Sequence, residues 1–131
     1  MNRLLISVVC MAGLTWLTLL GASLIRVKGW TPRGMLLAFG NRDQLPDASA
    51  FAGRAERTAR NTLENFVLFA ALALVAQAAG AANEHVIFGA NLFLWMRTLY
   101  IPVYLAGIAF LRTAVWAASI VGLGIMLGNM F

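Results

Sequence analysis

The sequence contains a single cysteine, Cys10, and a single histidine, His85, among 131 residues. One cysteine cannot form an intrachain disulfide or supply a Cys-pair motif for a metal or for redox chemistry. One histidine leaves no His–His metal pair, and the chain shows no Ser-His-Asp arrangement, P-loop or dinucleotide fingerprint. We therefore expect no metal centre, and we read Cys10, which lies in an apolar run, as a packed hydrophobe.

Charged residues are also scarce, at 11% against about 25% in soluble domains, whereas apolar residues reach 61% against about 45–50%. A chain of this length cannot bury so much apolar surface in its own interior, so we predict an integral membrane protein. Lys and Arg outnumber Asp and Glu by ten to five. These basic residues interrupt hydrophobic segments and form no separate basic face, which argues against nucleic acid as a partner.

Four segments are apolar and long enough to cross a bilayer as helices. They cover approximately residues 4–25, 59–79, 85–105 and 113–131. The sequence therefore predicts a single all-α domain over 1–131, an antiparallel four-helix transmembrane bundle with a long loop at 26–55. In the fourth segment, the spacing of Gly124 and Gly128 predicts a helix contact face.

The first segment could alternatively be a signal peptide cleaved after "GAS" at 21–23. Its apolar run is longer than that of a typical signal peptide, and Arg26 and Lys28 follow it as a stop-transfer flank would. We therefore favour a membrane span.

The positive-inside rule orients the predicted bundle. Most basic residues lie between the first two spans, and the turn between the second and third spans contains no Lys or Arg. We therefore predict that the long loop and Arg112 are cytoplasmic and that both termini lie on the opposite side.

A polar stripe begins the second span, in "RAERTARNTLENF" at 54–66. At about 100° per residue, its inward-facing members share a sector of about 80°. They are Arg54, Arg57, Asn61 and Glu64. Glu56 faces elsewhere and Arg60 lies on the border of the sector. An ionisable residue within a span usually faces a bundle interior or a wet cavity, although Glu64 could also simply pair with Arg60.

A second stripe lies in the third span, in "RTLYIPVY" at 97–104, where Arg97, Tyr100 and Tyr104 fall within about 60° of one another. Each tyrosine alone could belong to an interfacial aromatic belt, but the co-facing arginine favours a site. Arginines bind carboxylates, a glutamate binds an ammonium and an asparagine binds a peptide group. The two stripes together therefore favour a small zwitterionic peptide as ligand.

The R-x-x-R-x-x-x-N-x-x-E spacing of the first stripe and the R-x-x-Y-x-x-x-Y spacing of the second resemble the MAPEG family, the membrane-associated proteins in eicosanoid and glutathione metabolism. The resemblance extends over the whole chain, with four spans, a long first loop and short later connections. "GNRDQLP" and "GIAFLRT" look like the bacterial branch, which implies a bacterial inner membrane.

The resemblance implies a homotrimer that binds glutathione between neighbouring subunits near the cytoplasmic face, the second stripe coming from an adjacent subunit. Arg112 matches the arginine that stabilises the glutathione thiolate in several members. The implied glutathione contacts are Arg54, Arg57, Asn61, Glu64, Arg97, Tyr100, Tyr104 and Arg26. The implied activity is transfer of glutathione to hydrophobic electrophiles or reduction of lipid hydroperoxides.

Two other functions remain open from the sequence. The family also contains a non-catalytic lipid-binding member, so a scaffold protein that keeps the trimer but does not activate a thiol is the first alternative. The second is a small four-helix proton-coupled exporter that uses Glu64. Exporters of this length hold their essential carboxylate in the first span, which contains no charge here.

Overall fold

The computed structural model describes residues 1–131, which form five helices and no strands. The helices are α1 (Arg3–Val27), α2 (Pro32–Phe39), α3 (Ala50–Ala78), α4 (Glu84–Leu105) and α5 (Ala109–Gly128). All except α2 are long and apolar enough to cross a membrane, judged by length and composition. The prediction of an all-helical protein with four candidate membrane spans is therefore confirmed.

The connection that we expected to be a loop over 26–55 contains α2 and the first turns of α3. Thr31 caps α2, its hydroxyl accepting from the backbone N–H of Gly34 at 3.0 Å, and Pro32 occupies the first helical turn. Ser49 caps α3 in the same way. Hydroxyl caps followed by helix-compatible residues start these helices earlier than hydropathy alone indicates.

The helices pack mainly as two pairs, α1 with α3 and α4 with α5, and the pairs touch through α3 and α4 and through α1 and α4. At one end, Asn2 before α1 hydrogen-bonds Gln77 near the end of α3. At the other end, Arg26 near the end of α1 forms an ion pair of 3.1 Å with Glu56 near the start of α3. The start of each of these two helices therefore lies beside the end of the other.

The apolar core fills one end of the bundle. It contains Leu4, Met11, Phe69, Ala73, Ala76, Val86, Ala90, Phe93, Leu123 and Met126. Within it, the rings of Phe69 and Phe93 stack with their centroids 4.6 Å apart. The polar stripe of α3 precedes Phe69 and that of α4 follows Phe93, so both stripes lie towards the other end, where α3 begins and α4 ends.

The close approach of α4 and α5 depends on Gly89 and Gly122. A Cβ added to Gly122 would lie 2.7 Å from the Gly89 carbonyl oxygen, and one added to Gly89 would lie 2.6 Å from the Gly122 carbonyl oxygen. The predicted contact face at Gly124 and Gly128 was wrong within this chain, because a Cβ at either position meets nothing within 4 Å. Spacing alone identified a small-residue face without identifying its partner.

The outer surface of the four long helices is apolar. Only 28 of 131 residues are buried, while Trp16, Phe88 and Trp95 are 64%, 60% and 67% exposed. Such a surface suits contact with lipid, where exposed apolar side chains carry no penalty.

Candidate functional site

A polar cleft lies between α3, α4 and α5 at the end of the bundle away from the apolar core, and it encloses about 340 Å³. Small-molecule sites commonly measure about 300–1,000 Å³. The cleft is lined by Arg57, Arg60, Asn61, Glu64, Tyr100, Tyr104, Arg112, Thr113 and Trp116. Six of these nine are residues that the sequence singled out as candidate site residues.

Tyr104 connects the three helices around the cleft. Arg57 Nε of α3 donates to the Tyr104 hydroxyl at 3.2 Å, and the Arg112 guanidinium of α5 lies 4.7 Å above the Tyr104 ring. The ring of Tyr100 meets that of Tyr104 edge-to-face at 5.5 Å. Contacts of a cation with an aromatic ring contribute about 0.5–2 kcal/mol, so Tyr104 helps to hold two arginines at the mouth of the cleft.

Arg97 lies behind the cleft and has no exposed surface. Its Nη2 donates to Asn61 Oδ1 at 2.9 Å and to Thr62 Oγ1 at 3.1 Å, and its guanidinium stacks 4.2 Å from the Tyr100 ring. Its Nε and Nη1 have no hydrogen-bond partner. No carboxylate lies within ion-pair distance of Arg97, since the only ion pair of the chain joins Arg26 and Glu56.

These bonds fix the orientation of the Asn61 amide. Its Oδ1 accepts from Arg97 and, at 3.4 Å, from Asn65 Nδ2, while the Asn61 backbone carbonyl also accepts from Asn65. The oxygen of the amide is therefore engaged by the protein interior. Asn61 Nδ2 is left as a hydrogen-bond donor for a group bound in the cleft.

Glu64 lies in the cleft and forms no ion pair. The alternative in which Glu64 pairs with Arg60 is therefore not what the structure shows. Glu64 is exposed in the single chain although it lies within a candidate span. A charge at such a depth is costly unless it faces a wet cavity or a partner, which is consistent with a ligand-binding role.

Besides Arg97, two further predicted site residues do not line the cleft. Arg54 Nε donates to the Leu105 carbonyl at 3.0 Å, so Arg54 neutralises the carbonyl end of α4 and ties it to α3. Arg26 pairs with Glu56 and donates from Nη1 to the Pro46 carbonyl at 2.6 Å. In one chain, both residues hold the helices that shape the cleft.

The two polar stripes meet within one chain, through the bonds of Arg57 to Tyr104 and of Arg97 to Asn61. We had expected the α4 stripe to meet the α3 stripe from an adjacent subunit. The physical reason for the difference is that α3 and α4 pack side by side in the chain, with their polar ends together.

Sequence reasoning missed Thr113 and Trp116 of α5 and placed Arg60 only at the border of the stripe. The signal for α5 was present, because Arg112 and Trp116 are four residues apart and share one helix face. Residues 113–131 contain no charge, so composition alone gives this span no polar face. Trp116 adds an apolar wall to an otherwise polar cleft.

The cleft combines three guanidinium groups with one carboxylate. Arg57, Arg60 and Arg112 give it an excess of positive charge over Glu64. The charges of such a set complement a ligand with several carboxylates and one ammonium, and the Asn61 amide is a suitable donor to a carbonyl group. The guanidinium of Arg112 adds positive charge beside Tyr104, which suits a further anionic atom.

A comparison with protein families finds a match to the model described as the MAPEG family over residues 4–131. Among curated proteins and among solved structures, nothing matches the chain. The family match covers all four long helices and every residue of the cleft.

Proposed function

The chain belongs to the MAPEG family of membrane proteins, which includes glutathione transferases and peroxidases, and we propose that it binds glutathione and activates its thiol. The activated thiol is transferred to hydrophobic electrophiles or reduces lipid hydroperoxides. The observation that carries the proposal is the cleft between α3, α4 and α5, in which three arginines, one glutamate, one asparagine and two tyrosines converge.

The charges of the cleft complement those of glutathione. Glutathione has two carboxylates, one ammonium and two amide groups, and its thiolate form adds a further negative charge. Arg57 and Arg60 are the carboxylate partners in this proposal, Glu64 is the ammonium partner, and Asn61 Nδ2 donates to a peptide carbonyl. We place Arg112 beside the sulfur.

In this proposal, Arg112 supplies the positive charge that stabilises the thiolate of glutathione. A free cysteine thiol has a pKa of about 8.5 and is mostly protonated at neutral pH, and a nearby guanidinium favours the thiolate. In conjugation, the thiolate sulfur forms a bond to carbon while the leaving group departs with its electron pair, and the thiol proton is released to water. In peroxidase turnover, two glutathione molecules give one disulfide while the hydroperoxide becomes an alcohol and water.

We propose a homotrimer in which a neighbouring subunit closes the open side of the cleft. The support is that Glu64 and Trp116 remain exposed in the single chain, and an exposed glutamate in a span is costly in lipid. Light scattering of the detergent-solubilised protein, corrected for detergent, tests the trimer.

We further propose an antiparallel bundle in a bacterial inner membrane, with the long α1–α3 connection cytoplasmic, so that glutathione reaches the cleft from the cytoplasm.

The test of thiol activation compares purified wild-type protein with Arg112→Ala. We expect glutathione binding measured by calorimetry to persist in both proteins, because the other cleft residues remain. The ultraviolet absorbance of bound thiolate should disappear in Arg112→Ala, and turnover of an aryl halide should fall about 100-fold or more, as when one preorganised donor is removed from an active site.

Arg3→Ala is the matched control, since it removes an exposed arginine at the opposite end of α1. S-methylglutathione, which has no thiol, should bind without any thiolate signal. A wild-type protein that binds no glutathione at millimolar concentration would refute the proposal. One that binds glutathione but forms no thiolate and turns over no substrate would instead be a non-catalytic binding or scaffold member.

A further inference from the structure

A second cavity lies where α1 ends, α2 begins and α3 begins, and at about 640 Å³ it is larger than the glutathione cleft. It is lined by residues 25–28 at the end of α1, by Thr31, Arg33, Gly34 and Leu37 around α2, and by residues 44–49 and Ala52. It shares no lining residue with the glutathione cleft. Of its lining residues, only Arg26 is among the glutathione contacts that the family resemblance implies, and the proposed thiol activation uses none of them.

The charged lining of this cavity is mainly positive. Arg26, Lys28 and Arg33 face a single carboxylate, that of Asp47. Arg26 is already bound to Glu56 and to the Pro46 carbonyl, whereas the side chains of Lys28 and Arg33 form no ion pair or hydrogen bond. Two basic side chains are therefore free to bind an anion.

Two helices direct their amino ends at the same cavity. Thr31 caps α2, and Arg33 and Gly34 belong to the first turn of that helix. Ser49 caps α3, and Ala52 belongs to its first turn. The amino end of a helix has a partial positive charge and favours anions such as phosphate. The helix ends and the free basic side chains thus act in the same direction, towards a compact anion.

The source of the anion is indicated by exposed apolar side chains in and beside α2, which lie outside the lining of the cavity. Trp30 precedes α2 and is 71% exposed. Leu36 and Phe39 belong to α2 and are 75% and 82% exposed. They follow directly from the end of α1, which is a candidate membrane span. A short helix with exposed apolar side chains and adjacent basic residues lies in the headgroup layer of a membrane, where its apolar side chains contact acyl chains.

We propose that this cavity binds the phosphate of an acidic phospholipid. Lys28 and Arg33 contact the headgroup phosphate, and the exposed apolar side chains of α2 contact the acyl chains of the same lipid. A lipid bound at this site anchors the α1–α3 connection to the membrane surface, at the end of the bundle where α1 ends and α3 begins. The proposal depends on membrane insertion and not on glutathione binding.

The test measures binding of phosphatidylglycerol and phosphatidylcholine to the full-length protein by native mass spectrometry from detergent. The wild type should prefer phosphatidylglycerol. A surface basic residue contributes about fivefold to the affinity for an acidic lipid, so the double variant Lys28→Gln with Arg33→Gln should bind it about 25-fold more weakly. Arg3→Gln, at the other end of α1, is the matched control and should keep wild-type affinity.

Asp47→Asn provides a test in the opposite direction. It removes the only carboxylate of the cavity, so binding of phosphatidylglycerol should become about fivefold tighter. This gain does not depend on whether the double variant folds. Glutathione binding, measured in the same preparations, should be unchanged in all these variants, which separates failure of this proposal from failure of the proposed function.

Three results would overturn the lipid assignment. The first is equal binding of phosphatidylglycerol and phosphatidylcholine by the wild type. The second is wild-type lipid affinity in both the double variant and Asp47→Asn. The third is displacement of bound phosphatidylglycerol by millimolar inorganic phosphate, which would show that the cavity serves a soluble anion.

Discussion

At the scale of single residues, the most informative side chain is Arg97. The sequence resemblance implied a direct glutathione contact, but Arg97 is wholly buried behind Asn61 and has two nitrogen atoms without partners. A charge buried without a carboxylate partner contributes little to stability and can reduce it. Its bond to Asn61 Oδ1 instead orients an amide donor towards the cleft. We infer that Arg97 acts on the ligand through Asn61.

Replacement of Arg97 by methionine should separate stability from binding. Methionine fills similar space without a charge that must be buried, so we expect the unfolding temperature to stay the same or rise. Glutathione affinity should fall about tenfold, because the Asn61 amide is no longer held by a charged hydrogen bond. Thermal unfolding and calorimetric titration of the same preparation give both quantities.

Asn61→Ala is the matched comparison for this prediction. The double variant Arg97→Met with Asn61→Ala should bind glutathione no more weakly than Asn61→Ala alone, because both changes remove the same donor. Additive losses would contradict the inferred positioning role and would mean that Arg97 contacts the ligand itself.

At the scale of helices, the pairing of α4 with α5 decides where Arg112 lies. The helices touch backbone to backbone at Gly89 and Gly122, and the connection of residues 106–108 between them is short. Gly107 in that connection has a φ of +78°, a conformation that glycine adopts without strain. Arg112, in the first turn of α5, therefore lies directly beside Tyr104 near the end of α4.

Gly122→Ala should destabilise the protein by about 1–3 kcal/mol, the usual cost of overpacking a close contact. Its Cβ would be forced against the Gly89 carbonyl oxygen, so α5 must move away from α4. Gly124→Ala is the control, since a Cβ there meets nothing within the chain. Stability is measured by denaturant unfolding in detergent. An equal loss of stability in the two variants would show that the contact between Gly89 and Gly122 does not cause the loss in Gly122→Ala.

At the scale of the whole molecule, the apolar core and the polar cavities lie at opposite ends of the bundle. The apolar core lies where α1 starts and α3 ends. The polar cleft between α3, α4 and α5 and the second cavity, beside α2, lie at the other end. The connection over residues 28–49 contains several basic residues, whereas residues 79–83 contain none. This asymmetry supports a cytoplasmic position for the end that contains the cleft.

Cysteine labelling can test that orientation, because Cys10 is the only native cysteine and can be replaced by alanine. In this background, Asn41→Cys should react with a membrane-impermeant thiol reagent only in inside-out membrane vesicles. Ala79→Cys, between α3 and α4, should react only in right-side-out vesicles. The opposite pattern would place the cleft on the outer side and contradict entry of glutathione from the cytoplasm.

The amino-acid sequence by itself determined the class of protein and most of its candidate site. Apolar runs about 20 residues long, in a chain with few charges, leave helices in a bilayer as the only way to satisfy the backbone. Helical periodicity then placed Arg57, Asn61 and Glu64 on one face of α3, and Tyr100 and Tyr104 on one face of α4, because it depends only on residues within each helix.

Contacts between helices could be decided only by the tertiary structure. In the structure, Arg54 binds the end of α4, Arg26 pairs with Glu56, and Arg97 is buried in the interior. Thr113 and Trp116 line the cleft. In the structure, α4 and α5 approach each other most closely at Gly89 and Gly122, and not at Gly124 and Gly128. Periodicity shows which residues share a face, but only packing shows what each face meets.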